Sequence, residues 1–167
     1  WDEANHSFYM TSDTHEKLII RPKSNYDLSL PSGNSVSSFV MLRLFHFTQN
    51  NQFLEISSKI LESQAQMAAE NPFGYGYLLN TIYAYLQNPT EITIINNENS
   101  ELCKFLYCEF LPESILVTIK EKSQLENLSA LPFFKGKDFE NRTSVFVCKD
   151  FTCSLPLHTI KEVESNL

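Results

Sequence analysis

Four cysteines fall in two pairs with the same spacing, Cys103 with Cys108 and Cys148 with Cys153. Two such pairs contain enough thiolates for a tetrahedral zinc ion. The spacing in structural zinc sites is usually tighter, however, and five residues of helix turn the side chains of Cys103 and Cys108 well apart. We therefore predict no metal site.

The same cysteines are candidates for redox chemistry. Cys148 and Cys153 flank a predicted tight turn, so a disulfide between them is geometrically feasible. A C-x-x-C motif at a helix start, which would lower a thiol pKa, does not occur in the sequence. For Cys103 and Cys108 the pattern favours reduced cysteines buried in a core.

Residues 21–35 place two cations, a carboxylate, hydroxyls and amides in one loop directly before a predicted helix. Mixed donors and acceptors at a helix start suit a polyhydroxylated ligand such as a sugar. The alternative is plain capping, in which Ser32 or Asn34 accepts the unpaired backbone N–H groups of the helix. The residues leave both interpretations open.

Composition excludes several classes of function. The 167 residues include 13 basic and 20 acidic side chains, a formal charge of −7, which disfavours a nucleic-acid partner. We expect no membrane association and a cytoplasmic location, because no apolar run approaches about 20 residues and the start lacks signal-peptide order. No phosphate-binding glycine motif or paired-histidine motif occurs, so no cofactor is predicted. Since the chain opens on Trp1, we expect a piece of a longer protein.

Elements of two kinds must position these residues. Short β-like runs at 8–10 and 17–21 predict a hairpin. Apolar residues at helical spacing then predict helices at about 36–47, 52–69 and 74–86, joined by short connections that make neighbours antiparallel. The buried stripe expected of the second helix is Phe53, Ile56, Ile60, Leu61 and Met67.

The character of the sequence changes after Pro89. Strands at 91–95 and 115–119 enclose a helical pattern at 100–111, which predicts a β-α-β unit with parallel strands. A strand at 144–148, a short partner at 151–153 and a closing helix at 158–167 complete this half. We therefore predict two domains, 1–88 and 89–167.

Several segments resemble the C-terminal portion of the spermatogenesis-associated protein 20 family. They are residues 17–23 (Lys-Leu-Ile-Ile-Arg-Pro-Lys), 31–35 (Pro-Ser-Gly-Asn-Ser) and 147–156 (Val-Cys-Lys-Asp-Phe-Thr-Cys-Ser-Leu-Pro), in the same order over nearly the whole chain. The sequence departs from the family pattern at residues 28–29, where Gly-Ala is expected.

The resemblance implies an N-terminal thioredoxin-like domain in the parent protein, followed by a toroid of helical hairpins similar to six-hairpin glycosidases and N-acylglucosamine 2-epimerase. It implies an α+β chain in which 1–88 are antiparallel hairpins closing an α/α toroid, preceded by the β-hairpin, and 89–167 are a small α/β module. By resemblance, the candidates for substrate binding are Arg21, Lys23, Asp27, Ser32 and Asn34.

Three functional hypotheses follow. The first is a toroid that binds or processes a carbohydrate, with any enzymatic activity confined to the full-length protein, because no pair of catalytic carboxylates can be assigned. The second is a thiol-disulfide protein in which Cys148 and Cys153 support the thioredoxin-like domain of the parent chain. The third is a structural or interaction module without chemistry. The expected partners are a sugar ligand and the rest of the parent chain.

Overall fold

A computed structural model describes residues 1–16, 19–96, 100–112 and 114–167. The chain separates into two compact units, Trp1–Leu86 and Gln87–Leu167. The described residues form six α-helices and a four-stranded mixed sheet, an α+β architecture. None of the described helices combines the length and the apolar character that crossing a membrane requires.

The first unit is built on three helices, all of which the apolar spacing predicted. They are α1 (Gly33–Thr48), α2 (Asn51–Glu70) and α3 (Gly76–Gln87), with a 3-10 turn at Pro72–Gly74 before the last. Gln49 ends α1 in the left-handed conformation, and the Asn50 side chain accepts from Gln52 N to begin α2. This two-residue link makes α1 and α2 an antiparallel hairpin.

The prediction that residues 1–88 close an α/α toroid is wrong. The described residues of this stretch contain one hairpin of long helices and α3, and the chain then enters the mixed sheet. The toroid was implied by the family resemblance, while helical periodicity identifies each amphipathic helix and carries no information on how many hairpins join into a ring.

The predicted β-hairpin is wrong as well. Residues 8–10 form no strand, and the isolated bridge nearby joins Asp2 to Ser7. Of the expected second strand, Lys17 and Leu18 lie outside the described residues, and 19–21 are not extended into a ladder. The reason is a competing partner, because the backbone N–H and C=O of Phe8 both bond to the Asn34 side chain.

The buried face of α2 differs from the predicted apolar stripe. Ile60 and Leu61 are buried as expected, whereas Met67 is 46% exposed. Ser57 is buried instead, and its hydroxyl donates to Ser38 O of α1 at 2.8 Å. The buried face of α2 therefore combines apolar side chains with a buried serine that bonds to α1.

The second unit is a four-stranded sheet with short helices. Its elements are β1 (Thr90–Ile95), α4 (Ser100–Cys108), β2 (Ser114–Ile119), α5 (Lys122–Leu128), a 3-10 turn (Pro132–Phe134), β3 (Ser144–Lys149), β4 (Thr152–Cys153) and α6 (Ile160–Glu164). The strand order is β2-β1-β3-β4. The parallel pairing of β1 with β2 across α4 confirms the predicted β-α-β unit, and β3 runs antiparallel to both β1 and β4.

The helix α5 lies in a polar segment for which the sequence analysis predicted no helix or strand. A capping box begins it, since the Glu121 side chain accepts from the backbone at Gln124 and the Gln124 side chain bonds back to the N-cap. The E-x-x-Q spacing was therefore a signal for a helix start that hydrophobic periodicity alone did not reveal.

The two faces of the sheet have different chemistry. One face carries Ile92 and Ile94 of β1 and Val145 and Val147 of β3, packed in the apolar core with residues of α4 and α6. Because side chains alternate along a strand, the other face carries Glu91, Thr93, Phe146 and Cys148, which are buried too. Polar and sulfur groups are thus concentrated on one side of the sheet.

Candidate functional site

Asp27, predicted to bind substrate, joins the starts of two helices. Its Oδ1 accepts from Ser32 N at 2.7 Å, and its Oδ2 accepts from Tyr77 N at 2.9 Å and Leu78 N at 3.2 Å. Burial raises the pKa of this carboxyl, yet hydrogen bonds from the Ser32, Ser35, Leu78 and Tyr77 groups hold the pKa below its ordinary value. The charge serves the N-termini of α1 and α3.

A close backbone approach fixes the same loop to the start of α3. Asp27 N donates to Gly74 O at 2.8 Å. A Cβ at Gly74 would lie 2.0 Å from ring atoms of Tyr26, which also packs edge-on against Tyr75 with centroids 5.4 Å apart. A side chain at this position would therefore have to displace the Tyr26 ring.

Ser32 and Asn34 are held by the fold in the same way. Ser32 is the N-cap of α1, where its side chain accepts from Ser35 N. The Asn34 amide nitrogen donates to Phe8 O, Ser24 O and Asn25 Oδ1 at 2.8–3.1 Å, and its oxygen accepts from Phe8 N at 2.6 Å. The capping interpretation is thus confirmed for Ser32, and Asn34 ties three segments together.

The two predicted cations surround one aromatic ring. Arg21 lies 4.0 Å from the centroid of Tyr9 and donates to Thr11 O at 2.8 Å, while Lys23 lies 4.8 Å from the same ring and forms an ion pair with Asp2. A cleft of about 300 Å³ adjoins this region, lined by Phe8, Tyr9, Met10, Ser24, Gly33, Asn34 and Ser37. Of the five predicted residues, Asn34 lines this cleft, and Arg21, Lys23, Asp27 and Ser32 are not among its lining residues.

The second predicted pair, Cys148 and Cys153, forms a disulfide. The two residues are directly opposite each other on β3 and β4. The turn between the strands has positive φ at both central residues, 50° at Asp150 and 59° at Phe151, as a type I′ hairpin requires. A bulky residue in this conformation costs about 1–2 kcal/mol, so the strand pairing and the disulfide hold a turn that its sequence disfavours.

The two cysteine residues of the disulfide differ in exposure. Cys148 is 1% exposed, within the sheet, whereas Cys153 is exposed at the sheet edge. Cys153 also lines a cleft of about 400 Å³ together with residues 135–138, Glu140, Phe146 and residues 154–156. Of the two residues, Cys153 is therefore the one open to solvent and to the cleft.

A buried lysine lies against the accessible cysteine. Lys137 is 6% exposed, and its Nζ lies 3.6 Å from Cys153 Sγ, donates to Phe133 O and stands 5.0 Å from the Phe133 ring centroid. Gly136, with φ of 76°, turns the chain immediately before it. Burial lowers the pKa of the Lys137 ammonium, and the charge of Glu91 opposes that shift.

Glu91 completes the arrangement from the adjacent strand. It is the register partner of Cys148, which is the partner of Cys153, so the three residues form one row across β1, β3 and β4. Glu91 is 5% exposed. A buried carboxylate, a disulfide with one accessible sulfur and a buried ammonium thus share one side of the sheet.

Sequence reasoning found the two cysteines and missed Glu91 and Lys137. A carboxylate inside an otherwise apolar and β-branched strand was a usable signal for Glu91, because such a residue is rarely buried without a partner. Lys137 precedes Cys153 by 16 positions in a turn-rich segment, and no pattern in the sequence links the two.

The remaining cysteines differ from each other. Cys103 is buried in the apolar core, as predicted, and burial raises its thiol pKa. Cys108 is exposed, which corrects the prediction that both are buried. Within the described ranges, no group of three or more histidine, cysteine or acidic side chains is arranged to hold a metal ion.

Comparison with known proteins agrees with the resemblance at the level of distant similarity. The chain is 22% identical over 163 residues to spermatogenesis-associated protein 20 of Mus musculus and of Homo sapiens, which covers 94% of this chain and 21% of each relative. An uncharacterised protein of Caenorhabditis elegans is 22% identical over 162 residues, 94% of this chain and 22% of that protein. The chain spans about a fifth of the length of these relatives. No protein-family model matches it, and no solved structure matches it either.

Proposed function

We propose that the hairpin of β3 and β4 is a redox-active dithiol–disulfide site. The observation that carries the proposal is the asymmetry of the disulfide, in which exposed Cys153 is bonded to buried Cys148. Thiol-disulfide exchange requires a thiolate to reach one sulfur, so access is the first condition for the reaction, and Cys153 satisfies it.

The exchange proceeds in two displacements with a dithiol reductant. A thiolate of the reductant attacks Cys153 Sγ, the bond to Cys148 breaks, and the electron pair leaves on Cys148, which takes up a proton. The second thiolate of the reductant then attacks the reductant's other sulfur, which is bonded to Cys153 in the mixed disulfide. This attack releases Cys153 as a thiolate. The reductant ends as a disulfide and the protein as a dithiol.

The partner in this proposal is a thioredoxin-like domain of the parent protein, which the family resemblance implies. A cytoplasmic location fits the same proposal, because disulfides of mesophilic cytosolic proteins are usually transient and take part in catalysis or redox sensing. Asp27, Ser32 and Asn34 hydrogen-bond to backbone and side-chain groups of the protein, so a structural role accounts for these residues without a sugar. The rival to the redox proposal is a purely structural disulfide.

Each cysteine lies in its own tryptic peptide, which makes the test direct. Trypsin cleavage at Lys149 separates Cys148, in residues 143–149, from Cys153, in residues 150–161. The native 167-residue chain is incubated with dithiothreitol, alkylated with iodoacetamide for graded times and digested. We expect reduction without unfolding and faster alkylation of Cys153 than of Cys148. A disulfide that opens only in denaturant contradicts the proposal.

Two single variants serve as matched controls for each other. Cys148→Ser leaves the accessible thiol without its resolving partner. On incubation with glutathione disulfide, this variant should accumulate a mixed disulfide between Cys153 and glutathione. Cys153→Ser leaves only the buried thiol of the pair and should accumulate little. The tryptic peptides show how much glutathione each variant has bound, at Cys153 in Cys148→Ser and at Cys148 in Cys153→Ser. Equal amounts in the two variants contradict the assignment of Cys153 as the attacking sulfur.

A further inference from the structure

We infer that Lys137 is a positioning residue for this exchange, and that its ammonium stabilises the Cys153 thiolate and so makes Cys153 the nucleophile of the reduced site. The inference rests on the proposed function. It assigns a role to a residue that neither the cysteine spacing nor the family resemblance indicated.

The geometry supports a specific contact. Lys137 Nζ lies 3.6 Å from Cys153 Sγ, within the range of a hydrogen bond to sulfur. A second bond from Nζ, to Phe133 O, fixes the amine in place, and the side chain is nearly fully buried. An immobilised cation next to a sulfur favours the thiolate over the thiol, because it interacts with the charged form alone.

The charges around Lys137 come from several elements. Glu91 on β1 is the acidic group whose charge acts on it. Lys135, Asp138 and Glu140 line the cleft that contains Lys137 and Cys153, and Glu140 is paired with Arg142. The charge of Glu91 opposes the lowering of the Lys137 pKa by burial and so favours the charged form of the amine.

The consequence for the reaction is a division of labour between the cysteines. In the second displacement described above, Cys153 is the leaving group, and a leaving thiol of lower pKa departs faster. In the reverse direction the same thiolate attacks a substrate disulfide, and Cys148 then resolves the mixed disulfide. Lys137 thus acts on the step at Cys153 in both directions.

The test is the pH dependence of Cys153 alkylation in the reduced 167-residue chain, read from the tryptic peptide 150–161. Lys137→Met should move the midpoint of the rate profile to higher pH. For each unit of that rise, thiolate falls about tenfold at neutral pH while its nucleophilicity rises about threefold, so the rate should fall by about threefold. Lys137→Arg, which retains the cation, should restore part of the shift.

Lys135→Met is the matched control, because it removes a lysine of the same cleft that is exposed. In Lys135→Met, the pH midpoint of Cys153 alkylation should move by less than about a third of the shift seen for Lys137→Met. The melting temperature of each oxidised variant separates loss of the charge from loss of the fold. Unchanged midpoints in Lys137→Met, with exchange at Cys153 still intact, overturn the role of Lys137 and leave the redox proposal standing. If the wild-type chain shows no thiol-disulfide exchange at Cys153, the proposed function itself is overturned.

Discussion

The loop at residues 21–35 and the hairpin of β3 and β4 are equally suggestive in sequence and opposite in structure. In the loop, Asp27 and Asn34 are surrounded by donors and acceptors of the protein's own backbone. In the hairpin, Cys153 remains accessible beside a buried lysine. A dense set of polar residues is therefore weaker evidence for a ligand site than one reactive atom left open to solvent.

The physical reason for the difference lies in the helix starts. The first four N–H groups of every helix lack partners within the helix, and when they are buried a side chain must satisfy them. Asp27 meets this need at α1 and α3 together. The β-hairpin has no comparable demand, since its backbone groups pair across the strands, so its side chains are free for other roles.

Asp27→Asn is the most direct test of the structural role assigned to the loop. The change removes the charge that three backbone N–H groups share, and hydrogen bonds to charged groups contribute about 1.5–3 kcal/mol each. We expect the free energy of unfolding in urea to fall by about 4 kcal/mol. Asp13→Asn, at an exposed carboxylate, should change it by less than about 0.5 kcal/mol.

The same residue predicts a dependence on pH. Because the folded pKa of Asp27 is lowered, its stabilisation is complete above the unfolded pKa of about 3.9 and is lost as pH falls through the folded value. The gap in unfolding free energy between the wild-type chain and Asp27→Asn should narrow below about pH 4. A gap that is constant from pH 7 to pH 3 contradicts a structural role for the charge.

Asn34→Ala tests the other half of the loop. Truncation leaves the N–H and C=O of Phe8 without the Asn34 amide, while the C=O of Ser24 keeps its bond from the Asn34 backbone N–H. Unpaired buried groups cost about 1–3 kcal/mol, so we expect a loss of about 3 kcal/mol by urea denaturation. Asn80→Ala, at an exposed position in α3, is the control. An equal loss in both variants indicates that Asn34 is not a special contact.

Loss of the disulfide should have a smaller effect than either loop variant. The bridge closes a loop with a sequence separation of only 5, for which the chain-entropy model gives about 2 kcal/mol. Denaturation of the Cys148→Ser/Cys153→Ser chain, compared with the oxidised wild-type chain, measures it. A loss well above that of Asp27→Asn identifies the disulfide as a structural staple and favours the structural rival to the redox proposal.

The smallest effect expected is a change in the slope of stability against pH at Lys137. Burial lowers the folded pKa of the ammonium, so above that value the unfolded chain binds more protons and stability rises with pH up to about 10.4. Lys137→Met should remove this component of the rise. Thermal unfolding of the oxidised chains from pH 7 to pH 10 checks it, and parallel slopes in the two proteins contradict the prediction.

Most of the secondary structure was predictable from the sequence. The helices α1 to α3 and the β-α-β unit follow from apolar spacing and β-branched runs, which are local properties. The hairpin predicted from residues 8–10 and 17–21 failed because a distant side chain, Asn34, bonds to the backbone of Phe8 instead. The toroid failed because ring closure is a property of many hairpins and cannot be read from three helices.

The features of the candidate site also differ in whether the sequence predicts them. The sequence by itself determined that Cys148 and Cys153 flank a tight turn, since strand pairing and turn length are encoded within a few residues. Only the tertiary structure decided that Asp27 and Asn34 bond to the protein, that Cys148 is covered while Cys153 is open, and that Glu91 and Lys137 join the disulfide. Burial, and partners up to 57 positions apart along the chain, are set by how strands and turns pack, and local patterns carry no record of them.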